Sequence, residues 1–151
     1  MTTAEKFRDL LEDDPRYHAE AYNFVYEALD YTLKQVVEID AREPRHVSGN
    51  ELLEGIRQLS IGQFGCLVQS VFETWGVRKT DDFGEIVFNL VAHDLMGKQE
   101  SDSPEDFKEV YDFGDVFDVV PLFHFSRENE EWKARYVTRN QLMQTDVGPG
   151  S

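Results

Sequence analysis

The stretch PRYHAEAYNFVYEALDYTLKQVVEI, residues 15–39, predicts the central helix of a mostly α-helical domain. Asp14 precedes Pro15, and this order is typical of an N-cap followed by proline in the first helical turn. Apolar residues then recur at helical spacing in two adjoining rows, so neighbouring elements must cover a wide face of this helix. One row is Tyr17, Ala21, Phe24, Ala28 and Tyr31, and the other is Tyr22, Val25, Leu29, Leu33 and Val36.

A second helix is indicated by Ser48 and Glu51, which have the spacing of a capping box. In such a box the serine hydroxyl and the glutamate carboxylate each accept the backbone N–H of the other residue. Val47 and Leu52 stand where a hydrophobic staple would bracket the same helix start. The pattern therefore predicts a helix over residues 49–60.

Start and stop signals place four more helices in the first 120 residues, which predicts a single-domain bundle of five or six helices. Gly76 fits a left-handed C-cap, and either Thr80 or Asp82 fits the N-cap of the next helix. Ser103 followed by Pro104 is typical of the start of the last helix. The expected spans are about 3–12, 67–75, 80–97 and 104–120.

The pair Phe-Gly occurs three times, ending at Gly65, Gly84 and Gly114, and an apolar helical segment follows each time. Glycine inside a helix costs roughly 1 kcal/mol relative to alanine. A glycine retained beside a large ring usually allows a second backbone to come close. We therefore expect other helices to cross at these glycines; the alternative is that a ligand approaches the bare backbone.

The C-terminal part of the chain has a different pattern. Apolar and polar side chains alternate within residues 122–137 on both sides of a polar segment, which favours a β-hairpin. Trp132, Tyr136 and Met143 also fit one face of a helix, so a helical or irregular extension is the alternative.

Charge separates the two parts of the protein, which has 30 acidic and 15 basic residues and a net charge of -15. Residues 1–120 hold 26 acids and 11 bases, whereas residues 121–151 hold four of each. We expect an acidic helical domain over residues 1–120, a small extension packed on it over residues 121–143, and a disordered tail over residues 144–151. This charge argues against nucleic acid and anionic membranes as partners. It is typical of a surface that keeps a protein soluble, and the alternatives are a basic protein partner or DNA mimicry.

The sequence predicts a cytoplasmic protein. No apolar run approaches the roughly 20 residues that span a bilayer. The first 14 residues lack the apolar segment of a secretory signal. Cys66 is the single cysteine, so it cannot form an internal disulfide, and we expect it to be a small buried hydrophobic side chain.

Motifs for common enzyme chemistry are missing from the sequence. It contains no phosphate-binding glycine loop, no CxxC and no HExxH. The histidines His18, His46, His93 and His124 are scattered, without the helical spacing that brings two ligands to one face. We therefore predict no catalytic residue, no cofactor and no metal site.

Residues 94–118 hold nine acids and two lysines. On the continuous helix expected here, their carboxylates would line two adjoining ridges. Such a face binds a basic protein partner or simply remains a solvated surface. The candidate partner-binding residues are Glu105, Glu109, Asp112, Asp115 and Asp118.

The segments RHVSGNELLEGIRQLSIGQFG (residues 45–65) and VFETWGVRKTDDFGEIVFNLV (residues 71–91) resemble an uncharacterised bacterial protein family. Its members occur mainly in planctomycete and verrucomicrobial genomes, and AYNFVYEALDYT (residues 21–32) fits the same family. The resemblance covers about residues 15–120 and implies a cytoplasmic bacterial protein. It implies no activity and no catalytic residues, because the family has no assigned function.

Together these observations favour a non-enzymatic protein–protein interaction module; association into a homo-oligomer is also open. One alternative is an acidic DNA mimic, which requires carboxylates spaced like phosphates on one face. Another is a small-ligand-binding protein or enzyme with a pocket between the central helix and residues 66–91. His18 or His93 beside an acid, deep in that pocket, would favour an enzyme. The expected lining residues are Tyr22, Tyr26, Phe72 and Trp75.

Overall fold

A computed structural model of the protein describes residues 1–40, 47–97 and 103–145. Over these residues the chain is mostly helical and ends in a two-stranded antiparallel hairpin, so the predicted fold class is confirmed. Two 3-10 turns interrupt the helices, at Gly65–Leu67 and Pro104–Phe107. The helices are α1 (Thr3–Asp13), α2 (Ala19–Asp40), α3 (Gly49–Phe64), α4 (Val68–Trp75), α5 (Thr80–Ala92), α6 (Phe113–Val116) and α7 (Arg139–Thr145), and the strands are β1 (Val119–Ser126) and β2 (Glu131–Thr138).

The helix α2 is the centre of the domain, as its two apolar rows predict. It contacts α3, α4 and α5. Both rows contribute to the core, and the partly exposed Leu29 and Leu33 pack against its margin. The fully buried residues of α2 are Ala21, Tyr22, Val25 and Ala28.

The predicted start of α2 at Pro15 is wrong by four residues, because Asp14 belongs to the end of α1. The backbone N–H of Asp14 donates to the Leu10 carbonyl at 3.0 Å, and its carboxylate accepts two bonds from the Arg16 guanidinium. His18 caps α2 instead, because its Nδ1 accepts the backbone N–H of Glu20 at 3.0 Å. The Asp14–Pro15 pair therefore forms the turn between two helices.

The helix α3 starts as predicted, with a complete capping box. Ser48 Oγ accepts the N–H of Glu51 at 3.2 Å, and the Glu51 carboxylate accepts the N–H of Ser48 at 3.1 Å. Further along, α3 crosses α2 at Gly55, where a Cβ atom would lie 1.8 Å from Thr32 Oγ1. The Thr32 hydroxyl donates to the Ala28 carbonyl at 2.7 Å, which fixes it against α2. Only a glycine allows this close approach.

The prediction that helices cross at the Phe-Gly pairs is wrong at Gly65 and Gly114, and at Gly84 the element that packs closely on α5 is only a 3-10 turn. At Gly84 an added Cβ would lie 2.8 Å from Phe107 Cβ, so the neighbour is a side chain of the second 3-10 turn. Gly65 ends α3 with a φ of 55°, and an added Cβ would lie 2.7 Å from the Tyr136 hydroxyl. At Gly114 the near neighbour is the carboxylate of Asp112. All three glycines admit side chains of the same protein, and no second α-helix crosses at them.

The caps on either side of the 76–80 connection are only partly as predicted. Gly76 ends α4 in the left-handed conformation with a φ of 88°, as expected. At the start of α5, however, the Asp82 carboxylate accepts the N–H groups of Arg78 and Lys79, so Asp82 lies inside the helix. The helix also ends at Ala92, before the predicted stop at Gly97.

The long helix expected after Ser103-Pro104 is also wrong. The Asp106 carboxylate does accept the N–H of Ser103 at 2.9 Å, but the resulting 3-10 turn ends at Phe107. Glu109 then has a φ of 47°, a left-handed conformation that interrupts any right-handed helix. Helical structure resumes only in the short α6.

Hydrogen bonds to α5 explain this interruption. The Thr80 hydroxyl donates to the Phe107 carbonyl at 2.7 Å and accepts the N–H of Val110 at 3.0 Å. The Asp81 carboxylate accepts the N–H of Glu109 at 3.0 Å. Because α5 already binds these backbone N–H groups, they cannot form the i→i−4 bonds of a continuing helix.

The hairpin predicted from the alternating pattern is confirmed. Residue pairs run from Val119 opposite Thr138 to Ser126 opposite Glu131, and four residues form the turn. The base is fixed by the Arg139 N–H, which donates to the Asp118 carbonyl at 2.9 Å. The helix α7 follows and includes residues 144 and 145, which the sequence placed in a disordered tail; residues 146–151 lie outside the described part of the chain.

We predict that Ser48→Ala lowers the free energy of unfolding by about 1 kcal/mol, because the N–H of Glu51 loses its acceptor at the start of α3. Ser70→Ala on the exposed side of α4 is the control and should leave the stability within about 0.5 kcal/mol. Urea unfolding followed by circular dichroism measures both. Equal stability of the two variants would contradict a stabilising role for the capping box.

We predict opposite effects from the same substitution at two helical glycines. Gly84→Ala places a methyl group 2.8 Å from Phe107 Cβ and should destabilise the protein by about 1–3 kcal/mol. Gly62→Ala meets no atom within 4 Å and should stabilise it by about 0.5–1 kcal/mol through helix propensity. Thermal melts of both variants provide the measurement. A stabilised Gly84→Ala protein would show that Phe107 does not pack tightly on this glycine.

Candidate protein-binding surface

The five predicted partner-binding acids are all exposed, but they do not form the expected helical ridges. The chain between Pro104 and Val116 is not one helix, so helical spacing does not apply to their carboxylates. Two of them also have local roles. The Asp112 carboxylate accepts the N–H of Asp115 at the start of α6, and the Asp118 carboxylate pairs with Arg139 at 2.9 Å. Glu105, Glu109 and Asp115 remain exposed acids at separate places in the segment.

A different surface stands out on the hairpin. Directly opposite residues of an antiparallel pair project to the same face of the sheet. One face of the hairpin therefore carries apolar side chains along almost its whole length. The other face is apolar only near the base, at Val120, Leu122 and Val137, and towards the turn it carries His124 and Lys133. The apolar face consists of Val119, Pro121, Phe123, Phe125, Trp132, Ala134 and Tyr136.

Only the base of this apolar face is covered by the domain. Val119 is buried, and Tyr136 packs its hydroxyl against Gly65. Towards the turn, Phe123 and Trp132 are 70% and 71% exposed, and Phe125 is also exposed. We call Phe123, Phe125, Trp132 and Ala134 the aromatic tip.

The rings of the aromatic tip are ordered with respect to each other. Phe125 and Trp132 lie opposite each other in the register, with ring centroids 5.5 Å apart and planes inclined at 62°. An edge-to-face pair of this kind is favourable and limits the rotamers of both rings. The tip therefore presents a defined apolar surface to solvent, which is typical of a site that another molecule covers.

The sequence contained part of the signal for this surface. The alternation of Phe123 with Phe125, and of Trp132 with Ala134, places each pair on one side of a strand. The sequence could not show that the two strands point these residues to the same side, since that depends on the register. It also could not show that the domain leaves them uncovered.

The four aromatic residues expected to line a pocket have different roles. Tyr22 and Phe72 are fully buried in the core, and Tyr26 donates its hydroxyl to the Leu95 carbonyl. Trp75 lines a cleft of about 360 Å³ beside α2. Of the four expected residues, Trp75 therefore lies at an opening beside the central helix, whereas Tyr22 and Phe72 belong to the core.

Polar side chains between α1, α2 and α5 form a satisfied network. The Asn89 amide donates to the Asp14 carboxylate at 2.9 Å and to the Tyr22 hydroxyl at 3.0 Å. The Arg16 guanidinium beside Asp14 holds the pKa of that carboxyl well below its usual range. The Tyr17 hydroxyl donates to Asp82 at 2.6 Å, and burial, followed by that carboxylate, raises the pKa of the phenol. These hydrogen bonds and ion pairs therefore hold α1, α2 and α5 together.

His93 does contact an acid, and the geometry favours its protonated form. Its Nδ1 lies 2.9 Å from the Asn89 carbonyl oxygen, and its Nε2 lies 2.8 Å from Asp13 Oδ2. Both neighbours are acceptors, so both ring nitrogens donate and the imidazolium is favoured. Asp13, and then the Asn89 carbonyl, raise the pKa of His93 above its ordinary value. The pair joins the ends of α1 and α5 at the surface.

The remaining sequence predictions concern Cys66, metal ligands, membrane-spanning helices and His46. Cys66 is exposed, so the expectation that it is buried is wrong. Within residues 1–40, 47–97 and 103–145, no three His, Cys, Asp or Glu side chains are grouped to hold a metal ion. In the same ranges, no helix combines the length and apolar character needed to cross a bilayer. His46 lies outside the described residues.

Comparisons with protein-family models, with curated proteins and with solved structures found no match to this chain. The resemblance to the planctomycete and verrucomicrobial family therefore stays a prediction.

We predict that His93 stabilises the protein more at acidic pH. The folded pKa is raised, so the contribution is complete below the unfolded value of about 6.5 and is lost as the pH rises through the folded pKa. The difference between wild type and His93→Gln should reach at most about 1 kcal/mol at pH 5.5 and shrink by pH 9. Urea unfolding across this range measures it.

His124→Gln is the control for this prediction, because His124 is exposed on the hairpin. Its stability difference from wild type should stay within about 0.5 kcal/mol. A His93→Gln difference that grows with pH would contradict the raised pKa.

Proposed function

We propose that this protein is a non-enzymatic protein–protein interaction module that binds its partner with the aromatic tip of the hairpin. The observation that carries this proposal is the exposure of Phe123 and Trp132 on an apolar face that the domain leaves uncovered. Aromatic residues that become buried at the centre of an interface contribute much of its binding energy.

Burial of the aromatic tip contributes a substantial binding free energy, but this alone does not offset the cost of association. Each of its three rings has on the order of 100 Å² left to bury, which is worth about 2–3 kcal/mol per ring. Association costs about 4–15 kcal/mol in lost freedom of motion and desolvation. The rings therefore need a partner surface that supplies further contacts around them.

The charge of the domain indicates the chemistry of that partner. Glu128, Glu130 and Glu131 are exposed at or beside the hairpin turn, close to the aromatic tip in the chain. The acidic domain over residues 1–120 carries the whole net charge of -15. The hairpin as a whole is neutral, because Arg127, Lys133 and Arg135 balance these three acids. The attraction for a partner rich in lysine and arginine therefore comes from the acidic domain, and it mainly speeds association.

The two alternatives differ in their support. The DNA mimic requires carboxylates spaced like phosphates on one face, and the segment from Pro104 to Val116 does not supply them as a helical ridge because it is not one helix. A small-ligand-binding role is favoured by the open cleft beside Trp75. On the family resemblance alone, we also propose a bacterial, cytoplasmic protein.

The experiment uses a photo-crosslinking phenylalanine analogue at position 123 in cells that express the protein. We expect one dominant adduct with a protein rich in lysine and arginine. The same analogue at the exposed Glu12 of α1 is the control and should not give that adduct. An adduct of two copies of this chain would instead indicate self-association and overturn the proposal of a basic partner.

We predict that Phe123→Ser combined with Trp132→Ser weakens the affinity for the captured protein by roughly 30-fold or more, since two aromatic anchors are lost. Isothermal titration calorimetry with the purified pair provides the measurement. His124→Ser combined with Lys133→Ser alters the opposite face at one paired position and is the matched control. Equal losses in both double variants would point to a damaged hairpin and contradict a specific role of the aromatic tip.

A further inference from the structure

A cleft separate from the aromatic tip has a lining that suggests a ligand of its own. Glu20, Asn23, Phe24 and Glu27 line it from α2, and their spacing places them in one stripe along the helix. The opposite side is formed by Gln63 and Phe64 at the end of α3 and by Trp75 at the end of α4. The cleft is open to solvent and has a volume of about 360 Å³.

Three aromatic rings form the apolar part of this cleft. Phe64 and Trp75 stand almost at right angles, with an interplanar angle of 80° and ring centroids 5.8 Å apart. The buried ring of Phe24 lies 5.4 Å from Trp75 and 5.9 Å from Phe64. Such a corner of rings offers π-electron density to a cation, and tryptophan is the strongest of the aromatic partners.

Two carboxylates stand on the α2 side. Gln63 Nε2 donates to both oxygens of Glu27, at 2.9 and 3.0 Å, which holds this carboxylate in place. In the described part of the chain no lysine or arginine forms an ion pair with Glu20 or Glu27. Each carboxylate oxygen has two acceptor positions, so Glu27 can accept further bonds.

The spacing of the carboxylates indicates the kind of cation. Glu20 and Glu27 are seven residues apart, which is about 10 Å along the helix axis. A calcium or magnesium ion needs several oxygen ligands within about 2.0–2.6 Å, and two carboxylates spread along the cleft do not provide that shell. A larger organic cation can contact the rings through its stem and one carboxylate through its charged group.

We propose that this cleft binds an organic cation, namely an ammonium or guanidinium group on an aliphatic stem. The aliphatic stem lies against Phe64 and Trp75, and the charged group, at the edge of these rings, donates hydrogen bonds to Glu27 or Glu20. Both a free alkyl cation and a lysine or arginine side chain of another protein have this chemistry. The proposal does not depend on the aromatic tip.

The two tryptophans, Trp75 and Trp132, make a direct test available. In a Trp132→Phe protein, Trp75 is the single tryptophan, and its fluorescence reports on the cleft. We expect n-butylguanidinium to cause a saturable change in this fluorescence, with a dissociation constant on the order of millimolar for so small a ligand. The uncharged n-butanol, and sodium chloride at equal ionic strength, should not cause it.

Matched variants test the carboxylates. Glu27→Gln and Glu20→Gln together should weaken the binding of n-butylguanidinium by at least about fivefold. Glu5→Gln and Glu12→Gln on α1 change the net charge equally without lining the cleft, and their affinity should stay within about twofold of the Trp132→Phe protein. Equal weakening in both double variants would reduce the effect to general charge attraction and overturn the proposal.

A further titration distinguishes the two sources of the cation. Tighter binding of the peptide acetyl-Ala-Ala-Arg-Ala-Ala-amide than of n-butylguanidinium supports a side chain of a protein partner. Tighter binding of n-butylguanidinium supports a free alkyl cation. A fluorescence change that never saturates with either probe overturns the site itself, whatever the outcome of crosslinking at position 123.

Discussion

The fold depends on the ring of Phe72, which is fully buried at the point where the helices meet. Five other rings lie with their centroids 5.2–5.9 Å from it. Aromatic pairs at this distance contribute about 0.5–1.5 kcal/mol each beyond the area they bury, and they restrict the angles between the rings. The cluster therefore fixes how these elements pack. Its members are Phe24 of α2, Trp75 of α4, Phe83 of α5, Phe113 of α6 and Phe117.

The segment between α5 and the hairpin completes this core before the first strand begins. Phe107 occupies the space left by the glycines at positions 49 and 84, and Thr80 holds its backbone. Phe113 and Phe117 then close the aromatic cluster. The hairpin follows this cluster in the chain, with Val119 buried at its base and the aromatic tip exposed.

The two proposed binding regions meet at one place in the chain. Phe64 lines the cleft beside α2, and the next residue, Gly65, receives the hydroxyl of Tyr136 from the hairpin. Gly65 has a positive φ, and a Cβ atom there would overlap the tyrosine. The same glycine thus ends α3, positions a wall of the cleft and anchors the base of the aromatic face. An acidic protein with these two surfaces is suited to a partner that has both apolar and cationic groups.

The sequence by itself determined the helical class, the central position of α2, the capping box at Ser48, the C-cap at Gly76 and the hairpin, because each depends on side chains near one another in the chain. Tertiary structure decided the rest. Asp14 pairs with Arg16 and ends α1, so α2 begins later than its proline suggests. Contacts from α5 take the backbone N–H groups of Glu109 and Val110, so the acidic helix does not form and its carboxylates do not align. Which aromatic side chains are buried and which face solvent depends on how much apolar surface the whole domain offers, and that is a property of the packed elements together.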